Sequence, residues 1–141
     1  MIIKEFISEA NKNQMISTLL KYYKVSSVKV KQKSMKDHAH YNVDTGTLEL
    51  STRYKTIKPR QIKEFLITII HEIRHAMDAK KYGWRKFKEM YEMEIARWQA
   101  ENPKKNPDDW YEHISFEIEA EEFGQKNMRK WYSKFKKDNL F

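Results

Sequence analysis

Apolar residues recur every three or four positions along most of the chain, and every two positions in one stretch before its middle, so the pattern separates helices from a small sheet. Phe6, Ile7, Ala10, Ile16, Leu19, Leu20 and Tyr23 mark one face of an amphipathic helix over residues 4–23. Between residues 25 and 33, Val28 and Val30 face one way while Lys29, Lys31 and Lys33 face the other, as on a half-exposed strand. A second alternating run, residues 39–43, enters the loop Asp44-Thr45-Gly46, and Thr47-Leu48-Glu49-Leu50-Ser51 leaves it. Three residues with glycine last suit a hairpin loop. The expected product is a small antiparallel sheet of about three strands, with Ala39, Tyr41 and Val43 on one face and Leu48 and Leu50 covering the same core.

The second half is helical. Pro59 fits a first helical turn, and from Ile62 onward Phe65, Leu66, Ile69, Ile70, Ile73, Ala76 and Met77 are apolar around more than half a circumference. Such a helix is central and buried; Lys80, Lys81 and Gly83 read as its end. A helix over 84–101 follows, with Trp84, Phe87, Tyr91, Ile95 and Trp98 as its stripe. After a loop at 102–109 in which Asp108 or Asp109 can serve as cap, a last helix is predicted over 110–136 through Ile114, Ile118, Phe123, Met128, Trp131 and Phe135. Without repeats or a Gly/Ser linker, the pattern predicts one α+β domain over residues 1–141, its sheet packed on a helical core with a central helix.

Composition narrows the chemistry. The 141 residues include no cysteine, which removes disulfides and thiolate metal sites and leaves His, Asp and Glu as the strong ligands. No apolar leader and no stretch of about eighteen uncharged apolar residues is present, so a soluble, cytoplasmic protein without a membrane partner is expected. The net charge of +8 is uneven: Lys126, Arg129, Lys130, Lys134, Lys136 and Lys137 crowd the C-terminal region, while Glu112, Glu117, Glu119, Glu121 and Glu122 form an acidic island before it. Lysines on a strand protect an exposed edge. The basic C-terminal helix could also bind nucleic acid weakly, with Trp131 and Tyr132 stacking on bases.

The central helix contains His71-Glu72-Ile73-Arg74-His75, an H-E-x-x-H motif. Imidazoles four residues apart stand on one helical face and can reach one zinc ion, with Glu72 beside it as general base. A third protein ligand is required, with one position left open for water. His113, Glu117, Ala120, Glu121 and Gly124 would share a face of the last helix, and small Ala120 and Gly124 would allow the close approach that a glutamate ligand needs. Glu117 is the chosen third ligand, with Glu121 hydrogen-bonded to a ligating histidine from behind. Glu119, about 160° away on an ideal helix, is the reserve, and His113 a further alternative. Asp78 could orient a ligand or lie exposed; His38 and His40 could bind metal or line a cleft. The oxyanion donor would be one of His113, Tyr111, Tyr54 and Arg74, with His113 favoured by its place one turn before Glu117.

These residues resemble the gluzincins, zinc metallopeptidases with H-E-x-x-H on one helix and a glutamate ligand on a later one. Their downstream E-x-x-x-D signature is matched by Glu117-Ile118-Glu119-Ala120-Glu121, with Glu in the last place. The E-x-x-A-x-x-F pattern is also similar to small phage-type metallopeptidases of the ImmA and IrrE kind, over about residues 39–124. SprT-like proteases share the first motif but complete the site with a third histidine, a part His113 could take. The resemblance implies a Zn2+-dependent hydrolase acting on a protein or peptide substrate that pairs with an edge strand near residues 39–43. Two other readings use the same residues: a nucleic-acid-associated protein with a structural metal site, and a latent peptidase whose segment Asn139-Leu140-Phe141 fills its own cleft.

Overall fold

In the computed structural model, which describes residues 6–141, the elements run α1 (Glu9–Tyr22), β1 (Lys29–Lys33), β2 (Ala39–Asn42), β3 (Thr47–Ser51), α2 (Ile62–Tyr82), α3 (Trp84–Glu101) and α4 (Ser115–Lys137). The architecture is α+β. Helix α2 is its axis: Phe65, Leu66, Ile69, Ile70 and Ile73 are fully buried against Leu48 and Leu50 of β3, Met15 and Leu19 of α1, and Trp131 and Phe135 of α4. Burying each such side chain contributes roughly 1.5–3 kcal/mol, which makes this contact layer the main source of stability.

Helix α1 starts later than its apolar spacing predicts. The Ser8 hydroxyl accepts from the Asn11 N–H at 3.1 Å and caps the helix, while Ile7 leaves it for an isolated antiparallel bridge to Ile57. Residues 4 and 5 of that expected helix lie outside the described residues.

The sheet is mixed, not wholly antiparallel. Its order is β1-β3-β2, with β2 antiparallel and β1 parallel to the central β3. The hairpin forms where expected, but its loop has four residues and not three: Asn42 pairs with Thr47, Val43 leaves the strand, Gly46 has φ +65°, and Asn42 Oδ1 accepts from the N–H groups of Asp44 and Thr45. Strand β1 departs further from expectation. Burial decides it, because β3 is buried at Thr47, Leu48, Leu50 and Ser51 and takes the centre, whereas lysine-rich β1 is exposed and takes an edge. Residues 34–38 can cross the end of β3, since two strand spacings are about 10 Å and five residues reach about 16 Å.

Gly83, at φ +85°, ends α2 and turns the chain directly into α3. Among α3 residues only Phe87 is buried; Trp84, placed on its apolar stripe by spacing, is exposed. The predicted helix over 110–136 is broken. Residues Pro107–Glu112 form a short 3-10 helix, capped by Asn106 and not by Asp108 or Asp109, and α4 begins only at Ser115. Glu94 of α3 accepts from both the N–H and the hydroxyl of Ser115, a carboxylate cap that fixes the first turn of α4.

Trp131 is buried and its indole N–H donates to Tyr23 Oη at 2.9 Å, so it offers no face to a base. The C-terminal segment folds back onto the core: Leu140 is buried and Phe141 packs on Tyr132, away from the cleft described below. Among the described residues no helix is long and apolar enough to cross a membrane.

Helices α2 and α4 meet where Ala120 is fully buried and Gly124 has no side chain. A Cβ at Gly124 would stand 2.8 Å from the Ile67 carbonyl oxygen, a backbone atom that cannot swing aside. Alanine is worth about 1 kcal/mol more than glycine within a helix. The clash should outweigh that, so Gly124→Ala is expected to lower stability by roughly 1–3 kcal/mol in chemical denaturation, because α4 must move off α2. An unchanged or raised stability would show that the two helices do not meet this closely.

Candidate metal centre

Helix α2 presents His71 and His75 one turn apart, both buried, to the first turn of α4. There they meet Glu117. Its Oε1 lies 2.8 Å from His71 Nε2 and 2.8 Å from His75 Nε2, so three potential ligand atoms from two helices converge on one point. Glu121, one turn further along α4, places Oε2 2.9 Å from His71 Nδ1, and Gln125 holds its other oxygen. Glu72 is buried beside them, its Oε1 3.9 Å from His71 Nε2. Potential ligand atoms of His71, Glu72 and His75 all lie within 4.8 Å of one another.

Charge decides what this cluster can hold. Burial alone would lower the His71 imidazole, but the carboxylates of Glu117, Glu72 and Glu121 outweigh it and raise its pKa to about 9. Burial would raise Glu117, yet the bonds from His71 and His75 hold its carboxyl well below the usual carboxylate range. Burial pushes the Glu72 carboxyl up, and the neighbouring histidines offset that only in part. The site therefore favours positive charge. With Glu121 accepting from His71 Nδ1–H, a neutral His71 directs its Nε2 lone pair at Glu117 Oε1, and two acceptors face each other at 2.8 Å. Either a proton or a cation between them relieves this. Two imidazoles and a carboxylate on one point, without thiols, fit a divalent ion such as zinc.

Other residues fall less close to expectation. His113 is exposed, precedes α4, and stacks on Trp98 at 5.0 Å, so it neither shares the Glu117 face nor lines the cleft. The chain is extended at Ile114 and α4 begins after it, so His113 is placed neither as an oxyanion donor nor as a third ligand. Glu119 lies on the other side of α4, 3.6 Å from Arg74, which also approaches Asp78 at 3.4 Å; neither Glu119 nor Arg74 reaches the cluster. Asp78 is buried, not exposed. Its Oδ2 and His75 Nδ1 are the two buried side-chain polar atoms without a partner among the described residues. Tyr54 Oη is already engaged, donating to Glu64 Oε1 at 2.6 Å with His38 Nδ1 2.7 Å away.

Two tyrosines complete the cluster. Tyr91 of α3 donates its hydroxyl to Glu117 Oε2, and Tyr111 of the 3-10 helix stacks parallel on His71 with its Oη 3.3 Å from Nε2. Burial, then the charge of Glu117, pushes both phenols upward, so they act as neutral donors. Tyr91 is hidden in the sequence within an apolar stripe. Its only signal is that a core phenol needs a partner for its hydroxyl.

The cluster opens into a cleft of about 1140 Å³. One wall is β2, an edge strand in the order β1-β3-β2, with His38 and His40 at the lining; the other is α3, with Phe87, Tyr91 and Ile95. Neither a known protein family, nor a curated protein, nor a solved structure matches this chain.

Proposed function

We propose that the chain is a zinc-dependent metallopeptidase of gluzincin type, acting on extended protein or peptide substrates. The observation that carries this reading is the convergence of His71 Nε2, His75 Nε2 and Glu117 Oε1, with Glu72 beside them, in a cleft walled by the edge strand β2. Zinc held by those three atoms would polarise a peptide carbonyl and bring the pKa of a water toward 7.

The chain's own groups supply the rest. Glu72, buried and with its pKa raised, takes a proton from the attacking water on its carboxylate and passes it to the departing amine nitrogen. Glu121 keeps a proton on His71 Nδ1, which leaves Nε2 free as a ligand. Tyr111 Oη is the hydroxyl available to the developing oxyanion, in place of His113. The outer edge of β2, unpaired among the described residues, offers main-chain hydrogen bonds to an extended substrate, so affinity depends little on side-chain identity.

The test is incubation of zinc-loaded protein with a library of unstructured peptides, with cleavage sites mapped by mass spectrometry. Cleavage should vanish on chelation and return with zinc. Tyr111→Phe should lower turnover by about 10²–10³-fold, the cost of one oxyanion donor, while zinc content stays that of wild type. A zinc-loaded protein that cleaves nothing in the library would overturn the reading.

A further inference from the structure

Glu117 has two carboxylate oxygens and only one of them faces the histidines. Oε1 stands 2.8 Å from both Nε2 atoms, and Oε2 is turned away to accept the Tyr91 hydroxyl. The ring that carries this hydroxyl is wedged among aromatic neighbours from four elements. It stacks on Phe116 of α4 at 6.1 Å, meets Phe87 of its own helix at 6.0 Å and Trp110 of the 3-10 helix at 5.8 Å, and stands edge-on to His75 of α2 at 6.2 Å. These contacts hold the ring in place, and its hydroxyl donates to Glu117 Oε2.

A carboxylate with both oxygens free can take a cation with one or with both. Two-oxygen binding here would fill the position that a hydrolytic site must keep open for water. We propose that Tyr91 is a positioning residue that holds Glu117 as a one-oxygen ligand and so keeps that position open. The proposal rests on the zinc-peptidase reading and adds to it the residue that sets how the glutamate binds. A purely space-filling role makes a different prediction, because phenylalanine would fill the same space with the same aromatic contacts.

The experiment compares wild type with Tyr91→Phe in three measurements. Cobalt(II) in place of zinc reports coordination number, since four-coordinate cobalt absorbs visible light far more strongly than five-coordinate cobalt. Wild type should give the strong band, and Tyr91→Phe should lose it as Oε2 enters the metal's shell. Turnover of the zinc form should fall about 10–100-fold, the range for a group that orients a metal ligand, while the metal-free protein keeps its fold by circular dichroism and melts only a few degrees lower, for the hydrogen bond lost at Glu117 Oε2. In wild type alone, the zinc-minus-metal-free infrared difference spectrum should show the widely separated carboxylate stretches of one-oxygen binding. A narrow separation there, or an unaltered cobalt band and turnover in Tyr91→Phe, overturns the role of Tyr91 and leaves the peptidase reading standing. A wild-type chain that takes up neither zinc nor cobalt overturns both.

Discussion

Glu117→Ala is expected to abolish zinc binding, while Glu119→Ala leaves about one zinc per chain; elemental analysis of the purified proteins reads both. Among the described residues Glu117 Oε1 is the carboxylate oxygen shared by the two histidines at 2.8 Å, whereas Glu119 is turned toward Arg74. Loss of an outer partner typically weakens metal binding 10–100-fold, and loss of one of three ligands should exceed that. The metal-free protein changes as well. Glu117 is held below its ordinary value of 4.5, so the stability it contributes is present above about pH 4.5 and is lost as pH falls toward its folded value. His71 is raised from 6.5 to about 9, so its contribution is complete below 6.5 and is lost as pH rises through 9. Both are complete between about pH 4.5 and 6.5. The raised Glu72 carboxyl removes stability as pH rises above 4.5, so denaturation of metal-free wild type should show a maximum toward the acid end of that window with declines on both sides, which Glu117→Ala weakens. Breaking a buried pair of this kind costs roughly 3–5 kcal/mol at that maximum. A variant that keeps its zinc would remove Glu117 from the ligand set.

What the sequence makes legible here depends on whether a residue's role is local. His71, Glu72 and His75 sit on one helix whose apolar pattern is unmistakable, and four-residue spacing on a helix fixes relative position without knowledge of the rest of the fold. Glu117 and Glu121 are legible at one remove, because the small residues Ala120 and Gly124 mark where α4 can lie against another helix. The same reasoning fails at His113. It sits four residues before Glu117, and the chain leaves helical geometry at Ile114, whose φ and ψ are −89° and 145°. The carboxylate that accepts from the first residue after this break, Ser115, is Glu94, twenty-one residues before it on α3, a contact that no local pattern reveals.

Strand order fails for a related reason. Alternation identifies β1, β2 and β3 but says nothing of which pairs with which, and neighbours in sequence are the default partners. The overriding factor is relative burial: β3, buried at four of its five positions, takes the centre, and the lysine strand goes to an edge. The consequence reaches function, because β1 and β2 both become edges and only β2 lines the cleft. Tyr91 shows the complementary limit. An aromatic residue on a helical stripe is read as core, and the ring is core; the chemistry lies in one hydroxyl at its tip.

Glu72→Gln is expected to keep zinc at the wild-type level and to lower turnover by about 10²–10⁴-fold, the usual worth of a general base. The substitution preserves size and burial and removes only the capacity to take a proton. Geometry alone leaves two roles open to Glu72, since its carboxylate belongs with His71 and His75 to a group of ligand atoms within 4.8 Å of one another. Distance separates the roles. Glu72 Oε1 is 3.9 Å from His71 Nε2 and Glu117 Oε1 is 2.8 Å, so Glu117 has the nearer approach to the histidines and Glu72 stands further out, where its carboxylate can take a proton from a water. Burial supports the same division, because it raises the Glu72 pKa and makes its carboxylate a stronger base than an exposed one, while Glu117 is held ionised by two imidazoles. If Glu72 were a ligand, Glu72→Gln would lose metal and activity together, and the difference is read by measuring zinc content and peptide cleavage on the same preparation. Retained zinc with lost turnover assigns the proton transfer to Glu72; retained zinc with retained turnover would leave the motif without its base and the hydrolytic mechanism without its first step.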